Sequence, residues 1–202
     1  MSGMTEMPNL VFGLRHTLAN GKRNDADRVV KEIVDHVQLP ETRKIRIALE
    51  LTEAELRDVY QGRRLNEDYY AFWHKVASGI WHGLKKKHGQ DLTVEFVPID
   101  NEHWKNISLD QKQKARANYE RNAHMTRELD RFAKPNPKTQ TLDDKLHATI
   151  CGNWQVANME DRLGHRKDDF LFISLVKNSR KAVKELINAR IALLQQVTKC
   201  QT

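Results

Sequence analysis

The segment from Lys44 to Leu51 constrains the fold of this chain more than any other stretch. Its apolar residues fall on every second position: Ile45, Ile47, Leu49 and Leu51. A period of two predicts a β-strand with one buried face, and Lys44, Arg46 and Ala48 then occupy the opposite face. Thr52 and Glu55 follow at the spacing of a capping box. A helix is therefore expected to begin where the strand ends.

Two helices are predicted after this strand. The first has Leu56, Val59 and Tyr60 on its inner face and ends at Gly62. The second begins near Asn66, ends at Gly89 and carries bulky side chains at helical spacing: Tyr69, Phe72, Trp73, Val76, Ile80 and Leu84. Stripes of this kind are typical of a helix face that packs against a core.

The order of strand, capped helix, glycine-containing turn and second helix over residues 43–88 resembles the ribbon-helix-helix family of DNA-binding regulators. The resemblance implies that two chains pair their strands into an antiparallel ribbon over a shared four-helix core. The dimer core would then contain Ile45, Ile47, Leu49, Leu51, Leu56, Val59, Phe72, Trp73 and Val76. The expected fold class is mainly α with a short β-ribbon, in which a helical extension (1–40) and a longer, mostly helical one (91–202) flank a DNA-binding core (41–90).

The resemblance also implies a DNA-reading surface. The outward face of the ribbon would enter the major groove, which gives Lys44, Arg46 and Ala48 as base contacts. Arg46 is the foremost candidate, because a guanidinium suits the O6 and N7 acceptors of guanine. Phosphate contacts are implied for four further residues: Arg43, Arg63, Arg64 and Asn66.

Charge and composition fit the same partner. The chain has 34 basic and 27 acidic residues, a formal net charge of +7, which favours a polyanionic partner. We therefore expect a homodimeric, sequence-specific transcriptional regulator of duplex DNA, similar in size and layout to activators of conjugative-transfer genes on plasmids. No catalytic residue, cofactor or metal is expected, since the nucleotide-binding, zinc-protease and serine-hydrolase motifs are missing. Two cysteines and the lack of a long apolar stretch predict a cytoplasmic protein away from membranes.

Alternatives remain at this point. Lys44–Leu51 is also compatible with an ordinary half-buried strand that shares a sheet with the alternating segment Leu92–Phe96 in an α+β fold. Other functions to consider are a relaxosome-type DNA-processing accessory protein, a helical protein–protein adaptor, or a nuclease with scattered carboxylates such as Glu95 and Asp100. The basic residues at 85–87 fit the end of a helix better than a phosphate patch, and those on a polar helix predicted from Ser108 to Phe132 fit a solvated face better than a phosphate track.

The rest of the chain is predicted to be mostly helical. Helical spacing indicates helices over Pro8–Ala19, after Asp25, from Leu142 to about Gly164, and over a final stripe from Val183 to Val197. Phe170–Val176 fits either a buried strand or a buried helix. His147 and Cys151 would be neighbours on the helix around residue 150, but two further ligands for a metal are not evident.

Overall fold

Five parallel strands form one sheet in the computed structural model, which describes residues 7–15, 25–102, 111–133, 145–166 and 169–200. The strands are β1 (Asn9–Leu14), β2 (Lys44–Leu49), β3 (Thr93–Pro98), β4 (Ala148–Gly152) and β5 (Phe170–Ser174). Their order across the sheet is β3-β2-β4-β1-β5, and every neighbouring pair is parallel. The chain therefore moves towards one edge from β1 to β3 and returns through β4 to β5 at the other.

Helices cover both faces of the sheet. The structure describes α1 (Ala26–His36), α2 (Glu53–Tyr60), α3 (Asp68–His88), α4 (Gln111–Ala133), α5 (Asn153–Leu163) and α6 (Arg180–Cys200). Residues of α1, α2, α3 and α6 share one core with Ile45, Ile47 and Leu49 of β2. Residues of α4 and α5 share a second core with Ala48 on the opposite face of that strand. The result is a three-layer α/β arrangement.

The prediction of a mainly α, ribbon-helix-helix dimer core is wrong. Lys44–Leu49 is a strand as predicted, but it lies inside a parallel sheet between β3 and β4 rather than at an antiparallel dimer ribbon. The two flanking segments, 1–40 and 91–202, supply β1, β3, β4 and β5 to that same sheet. β2 pairs with β3, so these two alternating segments do share a sheet, but β2 is buried on both faces and the sheet is parallel, which makes the half-buried strand of an α+β fold wrong as well.

The side chains assigned to a dimer core are buried within a single chain. All nine, from Ile45 to Val76, have at most 6% of their surface exposed and belong to the core beneath α1 and α3. A second chain is therefore not needed to remove them from water. Dimerisation itself stays a prediction.

Local signals around β2 are confirmed. Thr52 Oγ1 accepts from the Glu55 backbone N–H at 3.2 Å, while the Glu55 carboxylate accepts from the Thr52 N–H at 2.8 Å, so the capping box starts α2. Gly89 ends α3 with a φ of 102°, a conformation that favours glycine. The start of the polar helix predicted from Ser108 lies outside the described residues, and the helix is described from Gln111 as α4.

Two predicted helices contain strands instead. Residues 9–14 form β1, and residues 148–152 form β4. Both strands are buried on both faces, as their neighbours in the sheet and the helices above and below require. A doubly buried parallel strand has a continuous apolar run rather than alternation, so its sequence mimics part of a helical stripe. The ambiguous segment after Asp169 forms the strand β5.

Candidate functional site

The carboxyl ends of the strands bring polar residues together at one edge of the sheet. Glu50 follows β2, Asp100 follows β3 by two residues, and Gly152 closes β4. In open α/β sheets, ligand sites form in crevices outside this edge where the direction of strand order reverses. In this chain β4 departs to α5 on one face, whereas its neighbours β1 and β2 lead to helices on the other.

Arg121 of α4 joins the carboxylates into a network, which we call the carboxyl-edge network. Its Nε lies 2.9 and 3.0 Å from the two carboxylate oxygens of Asp100. Its Nη2 donates to Asp100 at 2.5 Å and to Glu50 Oε1 at 2.6 Å. The other oxygen of Glu50 accepts from the Gly152 N–H at 2.5 Å. The Tyr69 hydroxyl completes the network through the Glu50 carbonyl at 3.3 Å.

Burial shapes the electrostatics of this network. The side chains of Glu50 and Asp100 are 2% and 0% exposed, and that of Arg121 is 16% exposed. Burial opposes the charge on Arg121, but the hydrogen bonds to Asp100 and the attraction of Glu50 outweigh it and raise the pKa of the guanidinium. Burial, reinforced by Glu55 and Glu50, raises the pKa of the Tyr69 hydroxyl far above its usual range. Tyr69 therefore stays protonated at any physiological pH.

The carboxyl-edge network stabilises the packing of α4 against the sheet. Each carboxylate already receives charge-assisted hydrogen bonds from Arg121, and these bonds tie α4 to the ends of β2 and β3. The sequence indicated where the two carboxylates would lie, because Glu50 and Asp100 each come at or just after the end of an alternating strand. The contact of Arg121 with these carboxylates could not be predicted in this way, since Arg121 lies 71 residues from Glu50 along the chain.

The three proposed base contacts lie within β2. Ala48 is fully buried and packs in the core beneath α4. Arg46 is 8% exposed, with its guanidinium 3.2 Å from Glu95 and over the ring of Phe132 at 5.3 Å. Only Lys44, at the amino end of the strand, keeps appreciable exposure, and its ammonium lies 2.8 Å from Glu95. Helix α4 covers the face that was expected to enter a DNA groove.

The four proposed phosphate contacts fall into two separate places. Arg43 bonds the carbonyl of His88 at the end of α3. Arg64 bonds Glu67 and stacks over Tyr70 at the start of the same helix, with Arg63 and Asn66 in the adjoining turn. Because α3 has 21 residues, its ends are about 31 Å apart. Arg43 and Arg64 therefore cannot hold the same phosphate.

Five basic residues lie at the amino edge of the sheet, opposite the carboxyl-edge network; Lys86 and Lys87 are exposed, and the other three are half-buried. We call this group the amino-edge basic cluster: Arg43, Lys44, Lys85, Lys86 and Lys87. The end of α3 meets the start of β2 here, as the bond from Arg43 to the His88 carbonyl shows. Asp91 pairs with Arg43 and also attracts Lys85, whereas Glu95 pairs with both Lys44 and Arg46. Lys85 also lies over the ring of Trp81, at 4.6 Å from its centroid.

Two other arrangements considered from the sequence do not form. Glu95 lies in β3 beside Lys44 and Arg46, whereas Asp100 lies beyond the strand's carboxyl end with Arg121, so the two carboxylates do not share a site. His147 and Cys151 lie four residues apart along a strand segment, about 13 Å. Among the described residues, no three His, Cys, Asp or Glu side chains are grouped to hold a metal ion.

Comparison with known proteins adds no relative. No protein-family model, no curated protein and no solved structure matches this chain significantly. Of the helices that the structure describes, none combines the length and the apolarity needed to cross a bilayer. The function must therefore be inferred from the chemistry of the protein's own surfaces.

Proposed function

We propose that the protein binds nucleic acid through the amino-edge basic cluster. The observation that carries this proposal is that the Arg43 guanidinium bonds the His88 carbonyl, which brings residues 43–44 and the basic last turn of α3, residues 85–87, to the same amino edge of the sheet. Lys and Arg side chains that neutralise phosphates supply most of the sequence-independent affinity for nucleic acid. The net charge of +7 acts in the same direction by drawing a polyanion towards the surface.

Lysine side chains of the cluster are available to bind phosphates. Lys85 reaches the carbonyl of Gln90, and Lys87 reaches two carbonyls at the end of α1, so neither ammonium is neutralised by these bonds. Lys86 is exposed and makes no hydrogen bond or ion pair within the part of the chain that the structure describes. Exposed ammonium groups exchange water for phosphate at little cost, because neither partner must leave a buried site.

Fluorescence anisotropy with a labelled duplex of random sequence tests the proposal. The wild type is expected to bind tightly at low salt, with an affinity that falls linearly on a logarithmic salt axis. The variant with Lys85→Gln and Lys86→Gln should bind more weakly. If both side chains contact phosphates, the salt slope becomes shallower by roughly 1.8, since each contact contributes about 0.9.

A matched control removes the same charge elsewhere. Lys181 and Lys184 are exposed on α6, which follows the opposite edge strand β5. Changing both to Gln should leave the salt slope of the wild type nearly intact. Equal losses in the two double variants would show that only net charge matters. Either that result or the absence of binding at low salt would refute a nucleic-acid surface at this edge.

The proposal extends to sequence-specific binding and to a role in transcription. Binding of a specific operator, regulation of transcription and action on a plasmid or other mobile element call for a second experiment. Selection of bound fragments from a random duplex library should return an enriched sequence if the protein is a specific regulator. An unenriched pool would favour the accessory DNA-processing role, which needs affinity without an operator.

A further inference from the structure

A second cationic site lies between α4 and the segment that follows α5. A cavity of about 300 Å³ opens there, and its polar lining consists of Thr126, Arg127, Asp130, Arg131, His165 and Arg166. Three guanidinium groups and an imidazole thus surround one carboxylate. Ligand sites typically have volumes of about 300–1,000 Å³, so this cavity has room for a small ligand.

The single carboxylate of the lining is already engaged. Arg166, with 13% of its side chain exposed, bonds Asp130 through one nitrogen. Its other nitrogens lie 2.8 and 2.6 Å from Asp169. Arg166 also lies over the ring of Phe170, 5.6 Å from the centroid. The Asp130 carboxylate is thereby paired with Arg166, and the lining contains two further guanidinium groups, those of Arg127 and Arg131.

Arg127 and Arg131 are the groups left to bind a ligand. They are four residues apart on α4 and therefore lie on the same helix face, where like charges repel. Arg131 has a distant partner, Glu128, at 3.7 Å. Arg127 makes no ion pair with any residue that the structure describes. An anion between the two guanidinium groups would relieve the repulsion and supply acceptors for their N–H donors.

We propose that this α4–α5 cavity binds a phosphate group, held between Arg127 and Arg131. The planar forks of two guanidinium groups match the oxygens of a phosphate in a bidentate manner. His165 at the rim supplies a further nitrogen. The phosphate belongs either to a small phosphorylated molecule or to the backbone of a nucleic acid. The proposal does not depend on the amino-edge basic cluster, because the site is built from other helices.

Calorimetric titration of the full-length protein with pyrophosphate, in a buffer of low salt without phosphate, tests the cavity. Saturable binding of one pyrophosphate per chain is expected for the wild type. The variant with Arg127→Gln and Arg131→Gln should bind it about tenfold more weakly or not at all. The control variant carries Arg116→Gln and Arg162→Gln on the same two helices, outside the cavity lining, and should bind as the wild type does.

Competition then identifies the source of the phosphate. Displacement of pyrophosphate by AMP, but not by a duplex, assigns the cavity to a small phosphorylated molecule. Displacement by the duplex assigns it to a nucleic-acid backbone. No saturable heat with the wild type, or equal affinities in the cavity variant and the control, overturns the proposal. Since the probe is a small anion rather than a nucleic acid, failure of pyrophosphate binding would leave the proposal of nucleic-acid binding at the amino edge unaffected.

Discussion

Replacing Arg121 by Met should destabilise the protein more than removing a single exposed charge. The change leaves the side chains of Glu50 and Asp100, at 2% and 0% exposure, without the cation that bonds both. Removing one partner of a buried ion pair typically costs about 3–5 kcal/mol, because the remaining charge stays buried. The bidentate contact with Asp100 and the bond to Glu50 place Arg121→Met within that range.

Urea unfolding followed by tryptophan fluorescence measures the effect. With a slope of about 2–3 kcal/mol per molar urea for a chain of this size, the midpoint should fall by roughly 1–2.5 M. The added change Glu50→Gln should recover part of the loss, since it removes one of the two stranded charges. Arg116→Met is the matched control on the same helix, because Arg116 pairs with Glu120 at the surface with 83% of its side chain exposed. It should cost less than about 0.5 kcal/mol.

The result that refutes this reasoning is a loss below about 1 kcal/mol for Arg121→Met. Such a value would mean that water reaches the carboxylates, and that α4 is held mainly by its apolar contacts. A loss of the expected size without recovery in the double variant would point instead to the packing of the arginine side chain. The double variant therefore separates the electrostatic cause from the steric one.

Three further outcomes are expected. Gly83→Ala should destabilise the protein by about 1–3 kcal/mol in urea unfolding, because the new Cβ would lie 2.5 Å from a methyl group of Val34. Burial opposes the charge of Glu95, but bonds from its two basic partners prevail and lower its pKa. Its small contribution, under about 1 kcal/mol, is therefore present above pH ~4.5 and lost as the pH falls below that value, so wild type and Glu95→Gln should converge in acid. Burial raises the pKa of Cys151 well above normal, so with Cys200 changed to Ser its thiol should resist Ellman's reagent until the protein unfolds.

The sequence predicted the elements whose residues alternate or whose ends carry a capping signal. Alternation identified β2 and β3, the capping box placed the start of α2, and Gly89 placed the end of α3. These signals are local, since each depends on residues only a few positions apart. They specify an element without specifying its neighbours. A strand with alternating residues fits an antiparallel ribbon and the amino half of a parallel strand equally well.

The parallel sheet could not be predicted because its evidence is not local. β1 pairs with β4 and β5, which follow it by more than 130 residues. Both β1 and β4 are buried on two sides, so neither alternates. Arg46 shows the consequence at a single residue. Its position opposite the apolar face of β2 suggested exposure, but Phe132 of α4 and Glu95 of β3 cover it.

The two ends of the sheet differ in how their charged side chains are placed. We therefore expect charges at the carboxyl edge to contribute to stability and those at the amino edge to contribute to binding. At the carboxyl edge, Arg121 is buried among carboxylates and must break several bonds before it could meet a phosphate. At the amino edge, Lys86 is exposed and makes no ion pair in the described part of the chain, while the half-buried Lys85 reaches the Gln90 carbonyl and attracts the nearby Asp91. Neutralising Arg121 should therefore lower the free energy of unfolding while leaving the nucleic-acid affinity of the folded fraction unchanged. Neutralising Lys85 and Lys86 should weaken nucleic-acid binding while leaving the free energy of unfolding nearly unchanged. A variant at either end that changed the binding and unfolding free energies by similar amounts would contradict this division.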